Sequence, residues 1–286
     1  VSDGGTYWYR VTADNYTPDT GSFTVTVNPK QVTLGHNIEV LSKEYDGNDS
    51  ISSENGQTAL TLKDEDGEDV TAAVNATVSS AVYNSKNVAE AKQIQISATL
   101  EAVGEEVLGN YAFQFNGETV EVGEGGAVTL TITGEDVKIT RKSIIVTGVR
   151  ADEHTYDGNV DTIALTGTPT STDILGADSG KVALELAPDV YGTLAEGQSA
   201  DVGPDKPVTV PANAVRLVPA GDGMETDANN YTIVSVNRTT VTIVPKTAAL
   251  QFPNNSSNMT ATYNPNGLDL SVYAVSITGL ANGAAL

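Results

Sequence analysis

The chain has 286 residues, and its 37 acidic against 15 basic side chains give a formal net charge of −22. This charge repels nucleic acid and anionic membrane surfaces, so neither is an expected partner, and no apolar run is long enough for membrane insertion. The length suggests about two domains, and the absence of cysteine excludes disulfides and favours a bacterial over a eukaryotic secreted source.

Residues 1–29 contain two predicted strands, 6–12 and 22–27, which resemble the closing strands of a domain. Alternation along the first strand places Tyr7 and Tyr9 on one face and Trp8 on the other. If the tyrosines face a core, Trp8 points outward and could stack on a sugar ring. Packing at a domain junction is the alternative interpretation of Trp8.

A tight turn follows the strand that begins at Lys30, and its residues are Tyr45, Asp46, Gly47 and Asn48. Glycine adopts the positive φ that other residues resist, and aspartate bonds to nearby main-chain groups, so Asp-Gly is a turn signal. The same four residues return as Tyr156, Asp157, Gly158 and Asn159. The repetition favours a structural turn over a ligand contact through the tyrosines.

The segment 64–69 is the strongest candidate for a metal site. Its carboxylates Asp64, Asp66 and Asp69 alternate around a glycine, a pattern that can present several oxygens to Ca²⁺. An acidic hairpin tip explains the same residues, and the second copy has no matching cluster. We therefore expect no cofactor, with calcium as the open alternative.

Two further segments are predicted to be strands. Residues 87–100 have helical propensity, but the corresponding stretch 201–214 contains three prolines, which exclude a helix interior. The apolar side chains in both stretches alternate with a period of two. Residues 115–122 read as an added hairpin through Asn116-Gly117.

The repetition divides the chain. Lysines 30, 142 and 246 each open a unit, which gives a closing segment 1–29, complete units 30–141 and 142–245, and an opening segment 246–286. The second unit has about seven predicted strands, near 144–149, 161–166, 181–187, 190–194, 206–210, 214–218 and 231–244, the last interpreted as a hairpin. This predicts an all-β protein of tandem immunoglobulin-like β-sandwich domains in an elongated array.

The turn at 43–48, its copy at 154–159 and the pairs Asn110-Tyr111 and Asn230-Tyr231 resemble the YDG-type repeats of bacterial cell-surface proteins. Residues 1–7 and 15–17 resemble the end of an MBG-type repeat, and residues 263–283 the front half of another. The resemblance implies immunoglobulin-like modules of large secreted, wall-attached or adhesin-like proteins, without catalytic residues. Tyr263-Asn264-Pro265 departs from the pattern because it lacks Asp-Gly.

No catalytic constellation emerges from the sequence. The two histidines, His36 and His154, are not set in a nucleophile or metal-protease motif, and a surface or hairpin role is expected for His154 beside the recurrent turn. Lysines that open each unit near asparagines also raise the hypothesis of Lys–Asn isopeptide bonds, which need a buried pair beside a carboxyl group.

We therefore expect a non-enzymatic structural or interaction region, a stalk or spacer of a secreted or surface-located bacterial protein. The alternative is a carbohydrate- or host-ligand-binding module that uses Trp8 or the 115–122 hairpin. We also expect end-to-end pairing through the terminal strands, because the half-domains 1–29 and 246–286 would expose strand edges.

Overall fold

The computed structural model describes residues 4–51, 57–251 and 276–278, and these form an all-β protein. The strands are β1 (Gly5–Val11), β2 (Asp19–Val25), β3 (Lys30–His36), β4 (Ser42–Glu44), β5 (Leu60–Asp64), β6 (Val74–Tyr83), β7 (Gln93–Ala102), β8 (Tyr111–Phe115), β9 (Glu118–Val120), β10 (Ala127–Thr133), β11 (Lys138–Thr140), β12 (Lys142–Ala151), β13 (His154–Thr155), β14 (Ile163–Thr170), β15 (Val182–Leu186), β16 (Tyr191–Leu194), β17 (Gly203–Thr209), β18 (Val215–Pro219), β19 (Tyr231–Val236), β20 (Thr239–Val244), β21 (Ala249–Gln251) and β22 (Ser276–Thr278). The helical segments are one α-helical turn, α1 (Glu225–Ala228), and short 3-10 turns at Leu108–Asn110, Glu124–Gly126, Gly176–Asp178 and Ala212–Ala214. The chain divides into two compact units, Val1–Arg141 and Lys142–Leu286.

The first unit contains two main sheets that each bury one face. One has the strand order β5-β3-β8-β9 and the other β10-β7-β6. Strand β7 buries Ile94, Ile96, Ala98 and Leu100, whereas the residues between them are exposed or half-buried. This alternation is the pattern of a sheet with one face toward a core, and the β-branched Ile94 and Ile96 favour extended backbone.

Two parallel pairings fix the beginning and the end of this unit. Strand β3 lies parallel to β8 with Lys30 opposite Tyr111. Strand β4 lies parallel to β11, and the Tyr45 N–H extends this ladder by donating to the Thr140 carbonyl at 2.9 Å. Strands close to the two ends of the unit are therefore hydrogen-bonded side by side.

The second unit is built on a sheet of order β13-β20-β17-β16-β14-β12-β19 and a separate pair β15-β18. Strand β14 changes partner along its length, because Ile163 pairs with β16 whereas Leu165 pairs with β12. Two apolar clusters are buried on this framework, one around Val146, Val215 and Val236 and the other around Ile163, Val208 and Ile243.

The second unit has the same two parallel pairings as the first. Strand β12 lies parallel to β19 with Lys142 opposite Tyr231. Strand β13 lies parallel to β20, and the Tyr156 N–H donates to the Val244 carbonyl at 2.9 Å. Each opening lysine thus faces the tyrosine of an Asn-Tyr pair, and each turn tyrosine bonds to the last strand before the next lysine.

Three sequence-based predictions about strands had different outcomes. The hairpin at 115–122 is confirmed, since β8 and β9 pair antiparallel across Asn116 and Gly117, which both have positive φ. The ambiguous segment 87–100 is a strand only from Gln93 onward. The hairpin interpretation of 231–244 is wrong, because β19 pairs with β12 whereas β20 pairs with β17 and β13.

Strands β1 and β2 form a two-stranded antiparallel hairpin, and they pair only with each other among the described strands. Strands β21 and β22 likewise form a pair of their own. The outer edges of both pairs are open within the described residues, and end-to-end pairing through them stays a prediction. The resemblance assigned to 263–283 lies outside the described residues except for 276–278.

Candidate functional site

The recurrent turn of the first unit is organised around the Lys43 ammonium. Lys43 Nζ donates to both Asp46 carboxylate oxygens at 2.8 and 3.0 Å, to Asn48 Oδ1 at 2.9 Å and to the Ser50 carbonyl at 2.8 Å. The ammonium also lies 5.8 Å from the centroid of the Tyr83 ring. One cation therefore holds the whole loop closed, and its side chain is only 14% exposed.

The copy in the second unit keeps the turn and has a histidine in place of the lysine. His154 occupies the position of Lys43, and its Nε2 lies 3.2 Å from Asp157 Oδ1. Asp157 also accepts from the Asn159 N–H at 2.9 Å and from the Thr162 hydroxyl at 2.9 Å. The corresponding main-chain bond in the first unit, Asn48 N–H to Asp46 Oδ1, is 3.1 Å long.

Both turn aspartates are held in the carboxylate form. Partial burial raises the pKa of Asp46, but the Lys43 ammonium and the Asn48 N–H outweigh it and the net pKa is lowered. Burial likewise acts to raise the pKa of Asp157, and its donors, the Asn159 N–H first among them, lower it well below its ordinary range. In both copies the turn therefore contains a carboxylate that nearby hydrogen-bond donors stabilise.

The turn tyrosines point into the protein. The Tyr45 side chain is 1% exposed, and Tyr156 packs against the cluster around Ile163 and Ile243. A buried ring cannot stack on a ligand, so Tyr45 serves packing. Nearby, the Tyr83 hydroxyl donates to the Leu41 carbonyl at 3.1 Å.

The turn and the strands around it match a known domain. Residues 28–120 match the YDG domain. This segment begins just before β3 and includes the turn at 45–48 and the β8–β9 hairpin. Searches of curated proteins and of solved structures found no match to the chain.

The acidic loop of the YDG-type domain uses its carboxylates for internal contacts. Asp64 Oδ2 lies 2.9 Å from Lys30 Nζ, and Asp64 Oδ1 accepts from the main-chain N–H groups of Asp66 and Glu68. The Lys30 ammonium and these donors lower the pKa of Asp64. Asp69 caps its own turn through two bonds from Thr71. The segment is thus an ordered hairpin tip.

Within the described residues, no group of three or more histidine or acidic side chains is arranged to hold a metal ion. No helix in the described part of the chain is long and apolar enough to cross a membrane. The Lys30 side chain of the YDG-type domain is 50% exposed, so it lacks the burial that the isopeptide hypothesis requires at an opening lysine.

The terminal hairpin that precedes the YDG-type domain separates its aromatic residues by face. Tyr7 stacks on Phe23 with ring centroids 5.6 Å apart, and Tyr9 lies across Gly21 on the same face. Trp8 is on the opposite face beside polar cross-strand neighbours and is 79% exposed. The predicted alternation is present, and Trp8 is available to a partner.

The second unit contains a buried polar cluster that was not predicted from the sequence. Asp178 is fully buried, and its Oδ2 accepts from the Tyr231 hydroxyl at 2.6 Å. The same hydroxyl accepts from the Leu175 N–H at 3.2 Å, and Lys181 Nζ lies 3.6 Å from Asp178 Oδ1. The sequence marks Tyr231 only as part of a recurrent Asn-Tyr pair, and it is the fold that brings Asp178 to it.

Proposed function

We propose that the chain is a non-enzymatic stalk or spacer region, made of tandem immunoglobulin-like sandwiches, of a secreted or cell-surface adhesin-like bacterial protein. The observation that carries this proposal is the repeated pairing, Lys30 opposite Tyr111 and Lys142 opposite Tyr231, in two compact units. Equal registers in two successive units favour duplicated modules that each complete their own sheets. The YDG match to 28–120 and the acidic, cysteine-free composition agree with this assignment.

The parallel pairings suit a part that transmits tension. In each unit a strand near the beginning, β4 or β13, lies parallel to the final strand, β11 or β20. A force that pulls the two ends apart acts along such a pair, so its hydrogen bonds must break together instead of one by one. The main-chain bond from each turn tyrosine lengthens this ladder by one step.

Single-molecule stretching of the full chain tests the proposal. We expect two separate unfolding events, each releasing roughly 350 Å of chain, because each unit has about a hundred residues that extend to about 3.5 Å apiece. Asp157→Asn should lower the force of one event and leave the other unchanged. A single merged event, or two events that both weaken in this variant, would contradict independent modules.

A second candidate function is carbohydrate binding through Trp8, favoured by its 79% exposure among polar neighbours on one face of the β1–β2 hairpin. An exposed indole offers an apolar face to a sugar ring. Glycan-array binding of the chain should disappear with Trp8→Ala and persist with Tyr16→Ala, which removes another exposed aromatic side chain from the same hairpin. Equal loss in both variants would argue against a Trp8 site.

A further inference from the structure

The YDG-type unit contains a groove between two strands that begin as a hairpin and then separate. The Gly123 N–H donates to the Ala127 carbonyl at 2.8 Å and closes the loop between β9 and β10. Beyond that bond β9 joins the sheet β5-β3-β8-β9, whereas β10 joins β10-β7-β6. Both strands are therefore edge strands, and their facing edges are not bonded to one another.

The space between these edges has a volume of about 720 Å³. Its walls come from Phe115, Thr119, Glu121, Thr129, Leu130 and Thr131, among others. A second cavity of about 430 Å³ lies along the other flank of residues 119–123. In the described part of the second unit β19 is followed directly by β20, with no strand equivalent to β9 between them, so this groove is not repeated there.

The main-chain groups that face the groove follow from the hydrogen bonds on either side. Because Ala127 directs its carbonyl to Gly123, alternation along β10 directs the N–H and C=O groups of Thr129 and Thr131 the same way. In a two-residue hairpin the two flanking residues, here Phe115 and Glu118, hydrogen-bond to each other through their main chains. The main-chain N–H and C=O groups of Thr119 therefore point away from β8. Each wall thus presents donors and acceptors at strand spacing.

The charge of the walls selects the partner. Glu118 and Glu121 line the groove, and no lysine, arginine or histidine lines it. Thr119, Thr129 and Thr131 also line it, together with apolar residues that include Val120 and Val122. An extended strand satisfies the main-chain edges, and basic side chains on it complement the two glutamates.

We propose that this groove binds an extended, basic polypeptide segment by adding it as a strand between β9 and β10. The segment hydrogen-bonds through its main chain to the edge of β10, and its lysine or arginine side chains reach Glu118 and Glu121. Sequence specificity is low, because main-chain bonds supply most of the affinity and alternate side chains face the sheet walls.

The test uses the full chain and a blocked heptapeptide, Lys-Val-Lys-Thr-Lys-Val-Lys, followed by amide NMR shifts. We expect saturable shifts confined to residues 118–121 and 129–133. The same peptide with N-methylated internal amides keeps its charge and loses its donors, and it should bind at least about tenfold more weakly. A Glu-Val-Glu-Thr-Glu-Val-Glu peptide should not bind.

Two variants locate the site. Glu121→Gln should weaken binding about two- to fivefold at low salt, whereas Glu105→Gln, an exposed glutamate of the same unit outside the groove, should not. Thr131→Pro removes a donor on the open edge and should abolish the shifts. Absence of binding, equal binding of the N-methylated or acidic peptide, or shifts spread over other surfaces would overturn the proposal.

Discussion

The hydroxyl of Tyr231 is the most informative single atom to remove. It donates to the buried Asp178 carboxylate at 2.6 Å and accepts from the Leu175 N–H at 3.2 Å. Through these two bonds it holds the 3-10 turn Gly176–Asp178 to the strand that pairs with the opening strand of the second unit. Tyr231→Phe deletes both bonds and changes the packing volume very little.

The expected loss can be worked from those contacts. A hydrogen bond to a charged group contributes about 1.5–3 kcal/mol, and the Leu175 N–H loses an acceptor worth about 1 kcal/mol more. Lys181 Nζ, 3.6 Å from the other Asp178 oxygen, still offsets part of the charge. We therefore expect a loss of about 2–4 kcal/mol, which for a unit of this size lowers its melting temperature by roughly 10 °C or more.

Calorimetry of the full chain, with hydrogen exchange of peptides from 142–245 to assign the transition, measures this loss. Tyr191→Phe is the matched control, because Tyr191 is in the same unit and is 50% exposed. We expect the control to change the free energy of unfolding by less than about 0.5 kcal/mol. If Tyr231→Phe behaves like Tyr191→Phe, the buried cluster does not stabilise the unit.

Three further predictions concern other parts of the fold. Gly126→Ala should destabilise the first unit by more than about 3 kcal/mol, because the added Cβ would lie 2.0 Å from the carbonyl oxygen of Leu100 in β7. Gly125→Ala should cost only about 1 kcal/mol, because Gly125 also has a positive φ but its Cβ would enter open space. Urea unfolding measures both losses. Lys43→Met should cost about 1–2 kcal/mol and the exposed Lys92→Met almost nothing, and equal effects would contradict the bonded role of the ammonium. The pKa of Asp157 is lowered in the folded state, so its carboxylate stabilises the fold above the unfolded-state pKa of about 4, and this stabilisation is lost as the pH falls through the folded pKa. Asp157→Asn should therefore lower the free energy of unfolding at pH 7 and match the parent chain in strong acid.

The features that sequence reasoning found are the local ones. Asp-Gly requires a turn, and the structure has Gly47 and Gly158 at φ 85° and 80°. Asn116-Gly117 requires a two-residue hairpin turn, and β8 and β9 flank it. Each of these signals depends on residues within a few positions of one another, so no knowledge of the tertiary fold is needed to interpret them.

The features that sequence reasoning missed depend on pairing between residues that are distant along the chain. Asp178 and Tyr231 are far apart in sequence, and the turn that carries Asp178 has no motif that would mark a buried carboxylate. The hairpin assigned to 231–244 followed from proximity along the chain. The actual partner of β19 is β12, and after residues 237–238 the next strand, β20, pairs with β17 instead. The separation of β9 from β10 into two sheets could not be predicted from the sequence for the same reason.

The recurrent turn has Lys43 in the first copy and His154 at the same position in the second, and this difference helps to separate a ligand-binding role from a structural role. The two copies do not share a donor at this position, because the lysine reaches three acceptor groups whereas the histidine reaches one carboxylate. What both copies keep is the carboxylate that accepts a main-chain N–H two residues later and the tyrosine N–H that bonds to the last strand. The common requirement is therefore geometric: in each copy the turn is hydrogen-bonded to the last strand of its unit, where the chain leaves that unit.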